Sequence, residues 1–331
     1  MEFFLPFQIP SFPFKISYRD KILFIGSCFS EEIGNKLGEL KFDILQNPNG
    51  ILYDPISISD SIFSYIENKP YKEENLFLLN SLWHSWKHHS VFSGVNKKEV
   101  LEKINQSQSA AHTFLKKAKF LIITFGTAFN YELKKNKQIV ANCHKAPAGY
   151  FQKKLLSSSE IIDATFGVLK AVELFNPGLK IIFTISPVKH VRDGVVANNR
   201  SKARLIEAVQ SLIELNLNAF YFPSYELVND VLRDYRFYKN DLVHPNEAAV
   251  NFVFEKFLES FLDDSSKKIK EEINKVVAAL NHKPFLKESE AHQMFVNAQL
   301  KNIRNIKNNY PFIDLSKEKK QFEDQVVKSE I

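Results

Sequence analysis

Only two cysteines, Cys28 and Cys143, occur among the 331 residues, too few for a disulfide framework. The chain opens Met1-Glu2-Phe3-Phe4-Leu5-Pro6, with no basic leader and an apolar stretch too short for a secretory signal. Cytoplasmic placement with both thiols reduced is therefore expected. No window approaches the roughly 18 consecutive apolar residues of a membrane span, so no membrane partner is expected. Ten glycines are scattered without a phosphate-cradling run or a dinucleotide fingerprint, and no nucleotide cofactor is indicated. The net charge of +6 and pI near 9.0 raise the question of nucleic acid. The excess lysine lies in separated pairs such as Lys97-Lys98, Lys116-Lys117 and Lys267-Lys268. No arginine-rich stripe with interleaved aromatics accompanies them, so a solvated basic surface is the reading and nucleic acid is not an expected partner.

The sequence is rich in phenylalanine, with 30 residues, and 44% of it is hydrophobic, enough for a sizeable core. Five short runs of β-branched and aromatic residues read as buried strands: 21–25, 41–45, 120–125, 180–185 and 219–222. Helical patterns separate most of them. Ser157-Ser158-Ser159-Glu160 has the form of a capping box, and its helix ends at Asn176-Pro177-Gly178. Residues 201–215 form a second amphipathic helix with Leu205, Ala208, Val209 and Leu212 on one face. Such alternation predicts an α/β fold with a parallel sheet covered on both faces.

Residues 54–118 are too long for one crossover. They read as an insertion beside the active-site edge, with helices near 56–68 and 97–116 around an aromatic, histidine-rich loop. Residues 1–262 are taken as the α/β domain and 263–331 as a helical extension packed on it. The extension carries helices over 265–280 and 289–308, and its last fifteen residues are expected to fray. No internal repeat is present.

In open parallel sheets the site lies beyond the carboxyl ends of the strands. The loops there are Gly26-Ser27-Cys28, Asn47-Pro48-Asn49-Gly50, Gly126-Thr127-Ala128, Ser186-Pro187 and, after the fifth strand, Asp241-Leu242-Val243-His244-Pro245. A hydroxyl and a thiol follow the first strand, with a helix expected to start after Phe29, near Glu31. An Asp/His pair three apart closes the domain. Nucleophile, base and orienting carboxylate are therefore all available, with Ser27 and Cys28 both open as nucleophile.

Two other clusters are chemically suggestive. In Asn142-Cys143-His144-Lys145, His144 is a candidate substrate contact or part of a structural turn. Trp83-His84-Ser85-Trp86-Lys87-His88-His89 lacks metal-ligand spacing, so no metal is assigned, and a substrate-facing wall or a plain surface loop is expected. Lys189, His190 and Arg192 are placed to meet an anionic or polar substrate.

These residues resemble the GSCFA family, a branch of the SGNH/GDSL hydrolase superfamily. The family pentapeptide reads Gly26-Ser27-Cys28-Phe29-Ser30 here. Further matches run through Asn47 to Tyr53, Phe125-Gly126-Thr127-Ala128, Ala141 to Lys145, Ser186 to His190, Ser201-Lys202-Ala203, Asp234 to Tyr238 and Asp241 to Pro245. The resemblance covers about residues 10–310. It implies a flavodoxin-like three-layer α/β/α sandwich with a five-stranded parallel sheet, SGNH hydrolase-like, plus the C-terminal helices.

Setting Gly26 on the GDSL glycine puts Ser27 at the aspartate and Cys28 at the nucleophile, with a helix N-terminus expected to lower the thiol pKa. The superfamily's Asp-x-x-His block falls on Asp241 and His244, implying His244 as base then acid and Asp241 as its orienting partner. Analogy assigns the oxyanion donors to the N–H groups of Cys28 and Gly50, near Gly26, Gly126 and Thr127. The third-block asparagine is replaced by Ala128, leaving Asn130 or Asn142 to supply a side-chain amide. The expected activity is acyl hydrolysis or acyl transfer on an ester or thioester, with a small-molecule or carbohydrate ester as substrate and no cofactor. The alternative is a small-molecule or glycan-binding protein that keeps the fold without the chemistry. Oligomeric state is not legible.

Overall fold

The computed structural model describes residues 5–216, 218–282 and 284–327. Its centre is a five-stranded sheet built from β1 (Lys21–Gly26), β2 (Asp43–Gln46), β3 (Phe120–Phe125), β4 (Lys180–Ile185) and β5 (Ala219–Tyr221). The strand order 2-1-3-4-5 is the flavodoxin-like one. Ile22 pairs with Phe120, Phe120 with Lys180 and Ala219 with Ile181, all in parallel register. Every residue of β3 is buried, which explains its uninterrupted apolar reading: a strand covered on both faces has no solvent side to mark with polar residues.

Helices Pro55–Glu67, Lys97–Lys117, Ser158–Phe175 and Val195–Leu215 contribute to a continuous core with Leu23, Ile25, Leu121, Ile123, Phe183 and Ile185. On the other face Phe24, Ile122 and Ile182 meet Phe29 and Phe257, from the helices Cys28–Glu39 and Glu247–Phe261. The protein is thus a three-layer α/β/α sandwich. Local signals place the helix starts. Asp54 accepts the Ser57 N–H at 2.9 Å, and Ser157 and Glu160 close the anticipated capping box. The second amphipathic helix begins six residues earlier than its pattern suggested, at Val195, because Gly194 supplies no side-chain cap to mark the start.

Two small antiparallel sheets were not anticipated. The histidine-rich segment is a hairpin, Leu76–Leu79 with Leu82–Ser85, turning through Asn80 and Ser81 at φ 49° and 62°. Two positive φ values at the centre are what a tight hairpin turn requires. Residues Phe129–Leu133, Ile139–Val140 and Phe151–Leu155 form a three-stranded sheet.

The chain divides into two compact units. One joins the described residues of Met1–Ser11 to Lys21–Gly34 and Ile44–Leu258. The other joins Phe12–Asp20 and Asn35–Asp43 to the described residues of Glu259–Ile331. In the second unit Tyr18 stacks on Phe42 at 4.0 Å. Its helices are Asp264–Leu280, Glu290–Asn309 and Ser316–Glu323. The last of these corrects the expectation of a frayed end. Phe322 is fully buried and Glu318 pairs with Lys41, so apolar burial and an ion pair hold the segment. Residues 328–331 lie outside the described set. Among the described residues no helix is long and apolar enough to cross a membrane.

Candidate active site

β1 ends at Gly26, whose φ of +141° turns the chain sharply out of the sheet. The Gly26 N–H donates to Asn47 Oδ1 at 2.9 Å, and the Ser27 N–H donates to the Thr124 carbonyl at 3.2 Å. The helix then starts at Cys28, earlier than Glu31, which places the thiol in its first turn. Cys28 lines a cavity of about 450 Å³ together with Tyr53, Thr127, Asn142, His190 and His244. Ser27 is fully buried, is absent from the cavity wall, and its Oγ has no hydrogen-bond partner among the described residues. Of the two candidate nucleophiles, the cavity receives Cys28.

Burial pushes the Cys28 thiol above its ordinary value, and Glu32 and Glu31 add to the effect. The N–H groups of Phe29 and Cys28 pull the other way but do not prevail. The expectation of a lowered thiol pKa is therefore corrected: a first-turn position helps a thiolate, but desolvation at this site is larger. Alkylation of Cys28 by iodoacetamide should accordingly be slower at neutral pH than that of free cysteine. It should climb until the pH passes the ordinary thiol range. Peptide mapping by mass spectrometry reads the rate, and a midpoint below that of free cysteine would contradict this picture.

The Asp241/His244 pair is built by one short turn. Asp241 Oδ1 accepts the N–H groups of Val243 and His244, each at 3.0 Å, while Oδ2 pairs with His244 Nδ1 at 2.7 Å. Those two N–H donors and the imidazole hold the Asp241 carboxyl down to about 2. That contact engages Nδ1 and leaves Nε2 outside it.

The expected oxyanion donors divide. The Gly50 N–H already donates to the Asn47 carbonyl at 2.7 Å, inside a turn at φ +77°, so it is not a donor for substrate. Asn130 is buried away from the cavity wall, on the strand Phe129–Leu133, and does not replace the missing amide there. Asn142 is on the wall, and its Oδ1 accepts the His144 N–H at 2.8 Å and the Ser90 hydroxyl at 3.5 Å. Those contacts engage its oxygen and not its Nδ2. Thr127 Oγ1 lies 3.1 Å from Ser201 Oγ and accepts the Phe129 N–H. Ala128 is fully buried, with its N–H on Ser201 Oγ at 2.7 Å. A Cβ on Gly126 would stand 3.2 Å from the Tyr53 ring and 3.3 Å from His190 Nε2, so glycine keeps this floor open.

His190 rests edge-on to Tyr53 and its Nε2 has no partner among the described residues. Burial, with Lys202, His244 and Lys153 nearby, pushes its imidazole down to about 3, so it is neutral at physiological pH. His144 sits at φ 49°, with Nε2 2.8 Å from the Ser85 carbonyl and Nδ1 3.2 Å from Ser90 Oγ. It borders an adjoining cavity of about 730 Å³, which shares Cys143, Tyr131 and Arg192 with the first.

The substrate-facing wall expected from residues 83–89 is overturned. None of them borders the Cys28 cavity. His84 is 2.6 Å from Ser93 Oγ and His88 is 2.8 Å from Ser85 Oγ, both buried, because the hairpin and its flanks supply their own partners. Among the described residues no group of three His, Cys, Asp or Glu side chains is placed to hold a metal ion.

Sequence reasoning assigned no role to Tyr53 or Lys202. Lys202 did carry a signal: it stands three residues before Leu205, on the same helical face as Ala208, Val209 and Leu212.

Two solved structures are similar at low identity. One is an acetyl xylan esterase, Est2A, from the rumen bacterium Butyrivibrio proteoclasticus. It is 11% identical with a TM-score of 0.39, over 74% of this chain and 64% of that one. The other is a carbohydrate esterase family 3 protein from Talaromyces cellulolyticus. It is 9% identical with a TM-score of 0.34, over 77% of this chain and 99% of that one. The chain therefore spans less than two thirds of the first structure. No curated protein matches the sequence. Residues 273–328 match the GSCFA domain protein C-terminal domain. Residues 21–257, which hold the whole sheet and every residue of the Cys28 cavity, match the GSCFA family, and the chain belongs to it.

Proposed function

We propose that this protein is an acyl hydrolase or acyltransferase acting on a carboxylic ester or thioester through Cys28, His244 and Asp241. The observation that carries the reading is the 2.7 Å contact of His244 Nδ1 with Asp241 Oδ2, on the rim of the cavity that the Cys28 thiol enters. Asp241 fixes the tautomer with hydrogen on Nδ1 and leaves Nε2 basic.

His244 Nε2 takes the thiol proton as Cys28 Sγ bonds to the carbonyl carbon. The resulting oxyanion is met by the Cys28 N–H and Asn142 Nδ2. Collapse expels the alcohol or thiol, which leaves with the proton from His244. Water or an acceptor hydroxyl then adds to the Cys28 thioester, giving its proton to His244, and the thiol is restored. A resting thiol raised by burial makes the base necessary, since little thiolate exists until a proton acceptor is in place. The cavity volume fits a short acyl group with part of its carrier. Tyr53, Phe129 and Tyr131 offer ring faces, and Lys153 and Arg192 offer donors, in keeping with a carbohydrate ester. A second reading, a binding protein of the same fold, is favoured by Ala128 and by the engaged Gly50 N–H, which leave fewer oxyanion donors.

The test is incubation with p-nitrophenyl acetate followed by peptide mass spectrometry. Acetylation is expected at Cys28, unchanged in Ser27→Ala and absent in Cys28→Ala. Acetylation at Ser27 would overturn the nucleophile. No adduct at either residue, with circular dichroism unchanged, would leave the binding protein.

A further inference from the structure

The Cys28 cavity and the adjoining one of about 730 Å³ have Tyr131, Asn142, Cys143, Lys153, Arg192 and Asp193 in common. Each space is of the size that holds a small-molecule ligand. An ester whose acyl group lies beside Cys28 therefore has room for a carrier larger than one short chain. The charge around the two spaces is one-sided. Lys153, Lys189 and Arg192 line the first, and Lys145 joins Lys153 and Arg192 around the second. Among the described residues the carboxylates on these walls are Asp54 and Asp193, and both are engaged. Asp193 pairs with Lys153, and Asp54 accepts the Ser57 N–H at 2.9 Å as the cap of its helix. Asp241, next to the cavity through His244, is held by that imidazole and two backbone N–H groups.

Lys189 has two rings in place of a counter-ion. Its Nζ lies 4.2 Å from the Tyr235 centroid and 4.1 Å from that of Tyr238. Among the described residues no carboxylate pairs with Lys145, Lys189 or Arg192. A merely solvated basic surface comes from lysines that are neighbours along one helix or run. Here the cations come from three separate segments: the turn at Lys145, the strand Phe151–Leu155, and the loop after β4. Like charges gathered without counter-ions repel one another, and a bound anion relieves that repulsion. Tyr131 and Phe151 add aromatic surface beside the charges.

We propose that the two cavities form one extended site for an acylated anionic carbohydrate, with Lys145, Lys189 and Arg192 taking the negative groups of the carrier. The inference deepens the acyl-transfer reading by naming its substrate class, and rests on that reading for the ester. The acyl group occupies the Cys28 cavity, and the carrier extends into the second. An acidic sugar's carboxylate and a sugar phosphate share the chemistry recognised here, because guanidinium and ammonium groups bind both oxyanions. A neutral glycan gains nothing from unpaired cations, so the preference has one expected sign.

The test is isothermal titration calorimetry of the full chain with digalacturonate, glucose 6-phosphate and the neutral disaccharide cellobiose. It is repeated in a Lys145→Glu, Arg192→Glu double variant whose fold is checked by circular dichroism; both positions are exposed. At least one acidic sugar should bind about tenfold or more tightly than cellobiose. Raising the ionic strength from about 0.05 to about 0.5 M should remove most of that margin. The double variant should lose it too, without weakening cellobiose. The tighter of the two acids tells carboxylate from phosphate. The bound acid should also slow iodoacetamide alkylation of Cys28, which separates this site from the rest of a basic surface. Equal binding of acidic and neutral sugars overturns the proposal. So does an acid preference that survives the double variant, an acid that leaves Cys28 alkylation unchanged, or no binding by any of the three. None of these readouts needs turnover. Acid binding that protects Cys28, with no acetylation of Cys28 by p-nitrophenyl acetate, would sink the acyl-transfer reading alone. Acetylation without an acid preference would sink only this proposal.

Discussion

Replacing His244 with alanine is expected to slow acetylation of Cys28 by about 10²- to 10⁴-fold, the range of a positioned general base. The loss should be large because burial keeps the thiol protonated, so no resting thiolate substitutes for the base. Asp241→Asn should have a smaller effect in the same direction. The asparagine can still accept backbone N–H groups, but it no longer supports an imidazolium. The pH dependence separates the two groups. The Asp241 carboxyl is held below its usual range, to about 2, by the His244 and Val243 N–H groups and the imidazole. The carboxylate is therefore charged above its ordinary value and gives up its charge only as pH falls through about 2. Any acid-side loss of rate above about pH 4 must then come from a group other than Asp241. Stopped-flow release of p-nitrophenol by wild type, His244→Ala and Asp241→Asn checks all of this. A rate for His244→Ala within about threefold of wild type would remove His244 from the chemistry.

The Asp241/His244 contact was legible because both partners lie on one turn, and a spacing of three is enough to bring a carboxylate to Nδ1. The strands were legible for a related reason. β1, β3 and β4 are buried on both faces, and their apolar runs have sharp ends. β2 was read two residues early at its start. Lys41 takes φ 67°, with its N–H on the Gly38 carbonyl, so it closes the preceding helix and cannot open a strand. The sheet over residues 129–155 was missed because its strands are short and carry lysine and glutamine at edge positions. The sequence offered both Asn130 and Asn142 and left open which of them borders the cavity. Asn142 does, with its oxygen held by the His144 N–H and by Ser90, the latter a contact spanning 52 residues that local sequence does not mark. Gly50 was misassigned because its N–H is taken by a local turn that leaves no trace in residue type.

Gly26→Ala should be strongly disruptive. Glycine here does two jobs that alanine cannot. Its φ of +141° is a conformation that L side chains rarely adopt. A Cβ built on it would also stand 2.2 Å from the Thr124 carbonyl oxygen and 2.9 Å from the Thr124 nitrogen and carbon. Those are atoms of β3, the central strand, and they are fixed by pairing on both sides. Because the obstacle is backbone, no side chain can rotate away, and either β1 leaves β3 or the turn opens. Backbone strain of this kind with a core displacement costs about 3–5 kcal/mol, against a typical total of about 5–15 kcal/mol. Gly149→Ala is the control, since a Cβ there meets nothing within 4 Å and should change stability by less than about 0.5 kcal/mol. Urea midpoints of the two variants decide the matter, and equal midpoints would contradict the turn described here. The functional consequence follows from position. Gly26 holds Asn47 through its N–H, and the next residue holds Thr124, so the same two bonds that close the turn set the first residue of the following helix. A variant that survives with the turn opened should therefore lose Cys28 acetylation out of proportion to its loss of fold, because the thiol is aimed by this turn.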